Sequence, residues 1–320
     1  MRFIDMHCDT IWELMKRKNE TLKENSLCID VKKLKTANSL VQFFACFIYM
    51  KDFEGEGQFT KAYQHAFNML AFAKQEFAAN SQDLALALEF NDILENQQEG
   101  RISAILTLEE GGVIENDMCR LTQLYEEGIR LITLTWNCEN CIGFPNSRDA
   151  KIMQQGLKPF GMEVVERMNE LGMIIDVSHM SDGGFWDVIR LSKKPIVASH
   201  SNARTLCNHP RNLSDEMIQA LAEKGGIAGV NFYPYFLCER GKASAEDIAR
   251  HVVHMYQVGG EDVVAIGTDF DGFDEGELEI AHIGEMNQVY EAIRKCGFTE
   301  RQMEKFWSHN ALRVMKEVIN

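Results

Sequence analysis

MIIDVSHMSDGGFWDVIRLSKKPIVASH, residues 173–200, contains two short apolar runs, Met173–Val177 and Pro195–Ser199, with a segment of helical character between them. The runs are rich in Ile and Val and do not alternate with polar residues. That suits parallel strands buried on both faces. Each run leads into a histidine, His179 and His200. Working outward, runs of the same kind recur at Phe3–Met6, Leu40–Tyr49, Ile102–Leu108, Leu131–Thr135, Ile227–Phe232 and Val263–Gly267, which makes eight.

The intervening segments carry helix signals. Phe160, Val164, Met168 and Leu171 fall at helical spacing, and Gly172 follows as a stop. Ser214 precedes Asp215 and Glu216, whose charge suits the positive end of a helix, and Gly225-Gly226 closes that segment. Ser244–Asp247 and Thr299–Gln302 fit capping boxes. Strand–helix alternation repeated eight times predicts an α/β fold, a closed (β/α)8 TIM barrel, in one domain spanning residues 1–320. An open doubly wound sheet is the runner-up, disfavoured in its nucleotide-binding form because no glycine-rich phosphate fingerprint follows any strand. Residues 51–100, after the second strand, read as a mostly helical excursion. Residues 138–156, after the fourth, read as a polar, irregular loop.

Composition narrows the function. The 33 Lys and Arg against 48 Asp and Glu give a net charge of −15, which argues against nonspecific binding to nucleic acid or anionic membranes. The nine cysteines are odd in number and scattered, as in a reduced cytoplasmic protein rather than a disulfide framework. Cys138-x-x-Cys141 has no second pair with which to complete a four-sulfur site and reads as ordinary loop or core thiols. No signal core is read in Met1–His7, no anchor tail in the last residues, and no run reaches membrane-spanning length. The expected location is therefore cytoplasmic, with no membrane partner.

In a barrel, chemistry sits where strands end and the following loops begin. The first strand runs into His7-Cys8-Asp9, the third into Glu109-Glu110-Gly111-Gly112, the fifth into Asp176-Val-Ser-His179, the sixth into Ser199-His200-Ser201, and the eighth into Gly267-Thr-Asp269-Phe-Asp271-Gly272. Any one of these is a weak signal. Three of nine histidines on one rim with carboxylates beside them form a strong one. Imidazole and carboxylate suit zinc and similar ions. Alternation along a strand would place His7 and Asp9 on one face and so assign them to one ion. His179 and His200 form a second half-site, Glu110 bridges the two, and Asp269 is the candidate general base. Asp176 is a candidate partner for His179, and Asp271 reads as a loop or capping residue.

These pieces, with Leu131–Thr135, Arg211-Asn212 and Val230–Tyr233, resemble the membrane (renal) dipeptidase family of the metal-dependent amidohydrolase superfamily. They occur in the family's order along nearly the whole chain. The resemblance implies a zinc-dependent dipeptidase that hydrolyses dipeptides, L-D dipeptides among them, by a metal-bridging hydroxide. It implies two Zn2+ held by His7, Asp9, Glu110, His179 and His200, with Asp269 as the catalytic proton-transfer residue. It gives Arg211 the substrate carboxylate and leaves Trp136, Asn137, Asn231 and Tyr233 as substrate-binding candidates. Trp136 stands where mammalian members carry a carbonyl-polarising histidine. An indole N–H donates a hydrogen bond but does not titrate, so substrate preference is open at this position. The expected partner is a small dipeptide, and a homodimer is left open. The rival readings are another amide hydrolase of the superfamily and a metal-binding protein of the same fold without catalysis.

Overall fold

The computed structural model describes residues 1–240, 242–273 and 278–319, so Asn320, the last residue of the expected domain, lies outside it. Strands β1 (Phe3–Asp5), β2 (Ser39–Phe47), β3 (Leu84–Leu86), β4 (Ile102–Glu109), β5 (Ile129–Thr133), β6 (Ile174–Asp176), β7 (Val197–Ala198), β8 (Ile227–Val230) and β9 (Val264–Ile266) form one parallel sheet. Its order is β2-β1-β9-β8-β7-β6-β5-β4-β3, and β2 also pairs β4 along Val41–Phe47, which closes eight strands into a barrel. The ninth, β3, flanks the start of β4 from outside the closed ring and lies within the excursion after β2, beside helices Gln58–Ala79 and Phe90–Gln98. At three residues it is too short to register as a strand in the sequence.

Two apolar layers organise the core. Ile4, Val41, Ile105, Leu131, Ile174, Val197, Ile227 and Ala265, one from each barrel strand, pack in a single cluster that fills the barrel interior. Ala311, Val314, Met315 and Val318 of the C-terminal helix Asn310–Val318 join that cluster. The residues around this helix lie just before strands begin: Lys194 Nζ donates to Glu317 O, and Asn310 Nδ2 donates to Glu261 O. The helix therefore stoppers the N-terminal mouth. The larger outer cluster sits between barrel and surrounding helices.

The caps form where the sequence places them. Ser214 accepts from Met217 N, Ser244 with Asp247 and Thr299 with Gln302 make reciprocal capping boxes, and Gly172 ends its helix at φ 74°. Among the described residues no helix is long and apolar enough to cross a membrane.

Candidate metal centre

With one mouth stoppered, the open end of the barrel is the one where the strands finish, and six side chains converge there. Glu109 is the last residue of β4. Its Oε2 lies 3.3 Å from His7 Nε2, and its Oε1 lies 3.1 Å from His179 Nε2 and 3.6 Å from His200 Nε2. The Nε2 atoms of His179 and His200 are 3.1 Å apart. His7 Nε2 is 3.4 Å from Asp9 Oδ2 and 3.8 Å from Asp269 Oδ1. Strand β1 stops at Asp5, so His7 and Asp9 meet on the loop beyond it rather than by strand alternation.

Glu110, expected to bridge the two half-sites, does not reach them. At φ 90° its carboxylate turns away and accepts hydrogen bonds from Gly112 N (2.7 Å), Trp136 N (3.0 Å) and Asn140 Nδ2 (2.6 Å). A Cβ on Gly112 would lie 2.4 Å from Glu110 Oε1, so this turn needs a glycine there. The reason for the exchange is the period of two along β4. Ile105 faces the barrel interior and Leu106 and Leu108 the outer layer, which puts Thr107 and Glu109 inward. Counting from Ile105 would have selected Glu109.

Both paired histidines aim Nε2 inward because Nδ1 is occupied. His200 Nδ1 sits 2.7 Å from Ser199 Oγ, and that hydroxyl donates to Asp176 Oδ2 at 2.6 Å. Asp176 also accepts from Ser178 N, Ser199 N and Thr133 Oγ1. It therefore serves His200 through Ser199 and not His179, the partner expected for it. His179 Nδ1 instead faces Asn137 Oδ1 at 3.1 Å, on the loop after β5. Such outer partners fix the tautomer and leave the Nε2 lone pair for a ligand.

Charge in the cluster is poised. Burial pushes Glu109 up to about 7 against the pull of His7, and pushes Asp269 up to about 6, again opposed by His7. Burial would lower His7, but the carboxylates of Glu109 and Asp9 outweigh it and hold His7 well above its ordinary value. Burial, with His7 and Arg211 nearby, holds His179 and His200 well below theirs, which keeps them neutral. His179, Asp269 and Glu110 all have positive φ. Backbone strain of this kind persists only where surrounding structure holds it.

The donor set fits a metal ion. Neither ring nitrogen of buried His7 makes a well-formed hydrogen bond, and Asp9 Oδ1 has no partner. Buried polar atoms left in this state are costly, and a cation would satisfy them. Among the described residues, His7, Glu109 and His200 form one group with ligand atoms within 4.8 Å, and His7, Asp9 and Asp269 form another.

The remaining candidates take different places. Asn231 Nδ2 donates to Asp269 Oδ2 at 2.8 Å, and Asn231 Oδ1 accepts from Tyr233 N, so Asn231 holds the candidate base. Trp136, Asn137 and Tyr233 line a cavity of about 610 Å3 that opens from the cluster. Arg211 is buried beneath, donating to Ser201 Oγ and His200 O, and does not line that cavity. Asp271 is structural, accepting from Thr10 Oγ1 and Cys28 N. Cys138 and Cys141 are free thiols, and Cys141 lies against Gly112 O outside the cluster.

Residues 1–320 match the model of the membrane dipeptidase family, peptidase family M19. An uncharacterised protein of Klebsiella pneumoniae from the pqqA 5′ region is 34% identical over 78% of this chain and 94% of its own. An uncharacterised dipeptidase of Schizosaccharomyces pombe is 30% identical over 90% of this chain and 71% of its own. The crystal structure of a metallopeptidase of family M19, dipeptidase AC, superposes with a TM-score of 0.89 at 26% identity, covering 99% of this chain and 98% of that one. A metallopeptidase from Rhodobacter sphaeroides, solved with a phosphinate mimic of L-Ala-D-Ala, shares the fold with a TM-score of 0.89 at 24% identity, covering 99% of each chain.

Proposed function

Because this chain belongs to the membrane dipeptidase family, peptidase family M19, and is a metallo-dipeptidase by that membership, we propose that it cleaves dipeptides with two zinc ions held in the cluster at the barrel rim. His7, Asp9 and Glu109 would hold one ion, and Glu109, His179 and His200 the other. The observation that carries this reading is Glu109 itself, whose two oxygens face His7 on one side and His179 with His200 on the other. Zinc bound there supplies Lewis acidity, acidifying water and polarising a carbonyl.

The chain's own residues supply position and proton transfer. Asp269 keeps Oδ2 tied to Asn231, while Oδ1 faces the cluster, free to take up a proton and return it to the departing amine. Asp176 through Ser199, and Asn137, hold the imidazoles in the ligating tautomer. Arg211, buried beside Asp269 and Glu109, supplies positive charge that draws the substrate carboxylate toward this end of the cavity without contacting the open space itself. Trp136 and Tyr233 line the cavity that opens from the cluster, beside Asp9, Glu109, His179 and Asp269. The free thiols support a reducing, cytoplasmic setting.

The test is hydrolysis of a panel of L-L and L-D dipeptides by purified protein, before and after chelation and zinc restoration. Dipeptides should be cut, and longer or N-blocked peptides spared, only with metal present. Metal-loaded, folded protein that cleaves no dipeptide would refute the reading. Asp269→Asn should keep metal and lose about a thousandfold in kcat, in line with loss of a general acid–base group and its orientation.

A further inference from the structure

The cavity above the cluster is walled by two separate groups of aromatic rings. In the first, Phe47 packs edge-on against Trp12 (5.1 Å) and Trp136 (4.9 Å), and Tyr49 meets Trp136 at 5.5 Å. In the second, Tyr233 contacts Phe236 (4.7 Å) and Phe273 (5.3 Å). The polar cluster lies between them along the chain of contacts. Trp136 reaches His179 at 6.1 Å, and the Tyr233 amide is held by Asn231, which holds Asp269.

All the rings of both groups line the cavity, and every one but Phe47 is only half-buried, so apolar faces are left open into a concave space. The cation beside the first group, Lys16, is already engaged: its Nζ sits over the Trp12 ring and pairs with Glu13 at 2.7 Å. The other charged side chain lining this part of the cavity, Asp52, is solvent-exposed like Lys16, so a charged substrate side chain held against the rings themselves would lose hydration that they cannot replace. A ring entering here would gain edge and face contacts of the kind aromatic pairs prefer.

We infer that this site selects dipeptides bearing a bulky apolar side chain, aromatic above all, which packs on the wall formed by Trp12, Phe47, Tyr49 and Trp136. The inference rests on the dipeptidase reading and names the substrate class within it. Trp136 and Trp12 are then the residues that set specificity.

The experiment compares kcat/KM of zinc-loaded protein for Ala-Ala, Phe-Ala, Ala-Phe, Asp-Ala and Lys-Ala. A phenylalanine in the favoured position should raise kcat/KM over Ala-Ala by about thirtyfold, the scale of burying one large apolar side chain. Asp-Ala and Lys-Ala should fall at or below Ala-Ala. In Trp136→Leu and Trp12→Leu, each retaining an apolar side chain, the phenylalanine advantage should shrink to within about fivefold, as expected when an aromatic contact is lost. The wild-type panel alone decides the matter if either variant fails to fold. Equal kcat/KM for Ala-Ala and both phenylalanine dipeptides, or preference for a charged one, overturns the inference and leaves the dipeptidase reading standing. Cleavage of none of the five by folded, metal-loaded protein overturns both.

Discussion

The two mouths of the barrel are built on opposite rules. At the N-terminal mouth, Val314, Met315 and Val318 of the last helix meet Ile4, Val41 and Leu131 in an apolar cluster. At the C-terminal mouth, His7 and Asp9 keep unpartnered polar atoms, Glu109 and Asp269 are carboxylates pushed up by burial, and Glu110, His179 and Asp269 hold strained backbone. The first mouth stabilises; the second stores unfavourable charge and strain that a ligand would relieve. Function is placed where stability is given up, and the sealed mouth offsets that cost.

The sharpest break of this contrast is at Glu109. Glu109→Gln should abolish zinc binding and lower kcat/KM by at least about a thousandfold, as expected for losing a shared ligand. Its metal-free stability should be unchanged or higher, since a buried carboxylate among other acids is removed. Glu110→Gln should keep metal, because Glu110 supports only the loop. Calorimetric metal titration and thermal unfolding of both variants decide it, and metal loss in Glu110→Gln but not in Glu109→Gln would reverse the assignment.

At the other mouth the pattern inverts. Met315→Ala should cost about 2–5 kcal/mol of stability with kcat/KM within about twofold of wild type for the protein that remains folded. A large fall in activity at full stability would show that the two mouths are not independent.

Within the rim, the two imidazole supports differ in burial. Asp176 is buried and accepts four hydrogen bonds, whereas Asn137 is exposed and offers one oxygen. Asp176→Asn should lower zinc affinity by about 10- to 100-fold. Asn137→Ala should do so by at most about tenfold, as one outer partner of one ligand. The reverse ranking in metal titrations would mean that the exposed loop, not the barrel, sets the ligand geometry.

The smallest expected effect is that of pH. In the metal-free rim Glu109 titrates at about 7 and Asp269 at about 6, so these two carboxylates hold protons below this window and lose them above it, while His7, held well above its ordinary value by Glu109 and Asp9, keeps its proton across it. Metal displaces those protons, so affinity should rise with pH through 6–7, by at most about tenfold per unit for each proton released. His179 and His200, already neutral there, add nothing to the slope. Calorimetry in buffers of different ionisation heat counts the protons, and a count of zero at pH 6 would contradict this account.

The barrel was legible in the sequence because eight apolar runs, alternating with helical segments of which several keep the caps read from the sequence, repeat a local pattern. The rim histidines were legible for the same reason: strand ends are local, and a barrel gathers them at one end whatever lies between. That Glu109 rather than Glu110 faces the rim histidines was legible only to a strict count along β4, where the adjacency of the two glutamates blurred the face. β3 fell below the length at which periodicity speaks. The sequence by itself determined strand-then-helix order, barrel closure and the residue types at the rim, since these follow from periodicity and from what buried parallel strands require. Only the tertiary structure decided that Asp176 serves His200 through Ser199, that Asn137 serves His179, that Arg211 lies beneath the cavity, and that aromatic rings from the ends of five different strands and the segments after them wall it. Those contacts join residues far apart in the chain, and their partners are set by how the loops pack over the closed barrel.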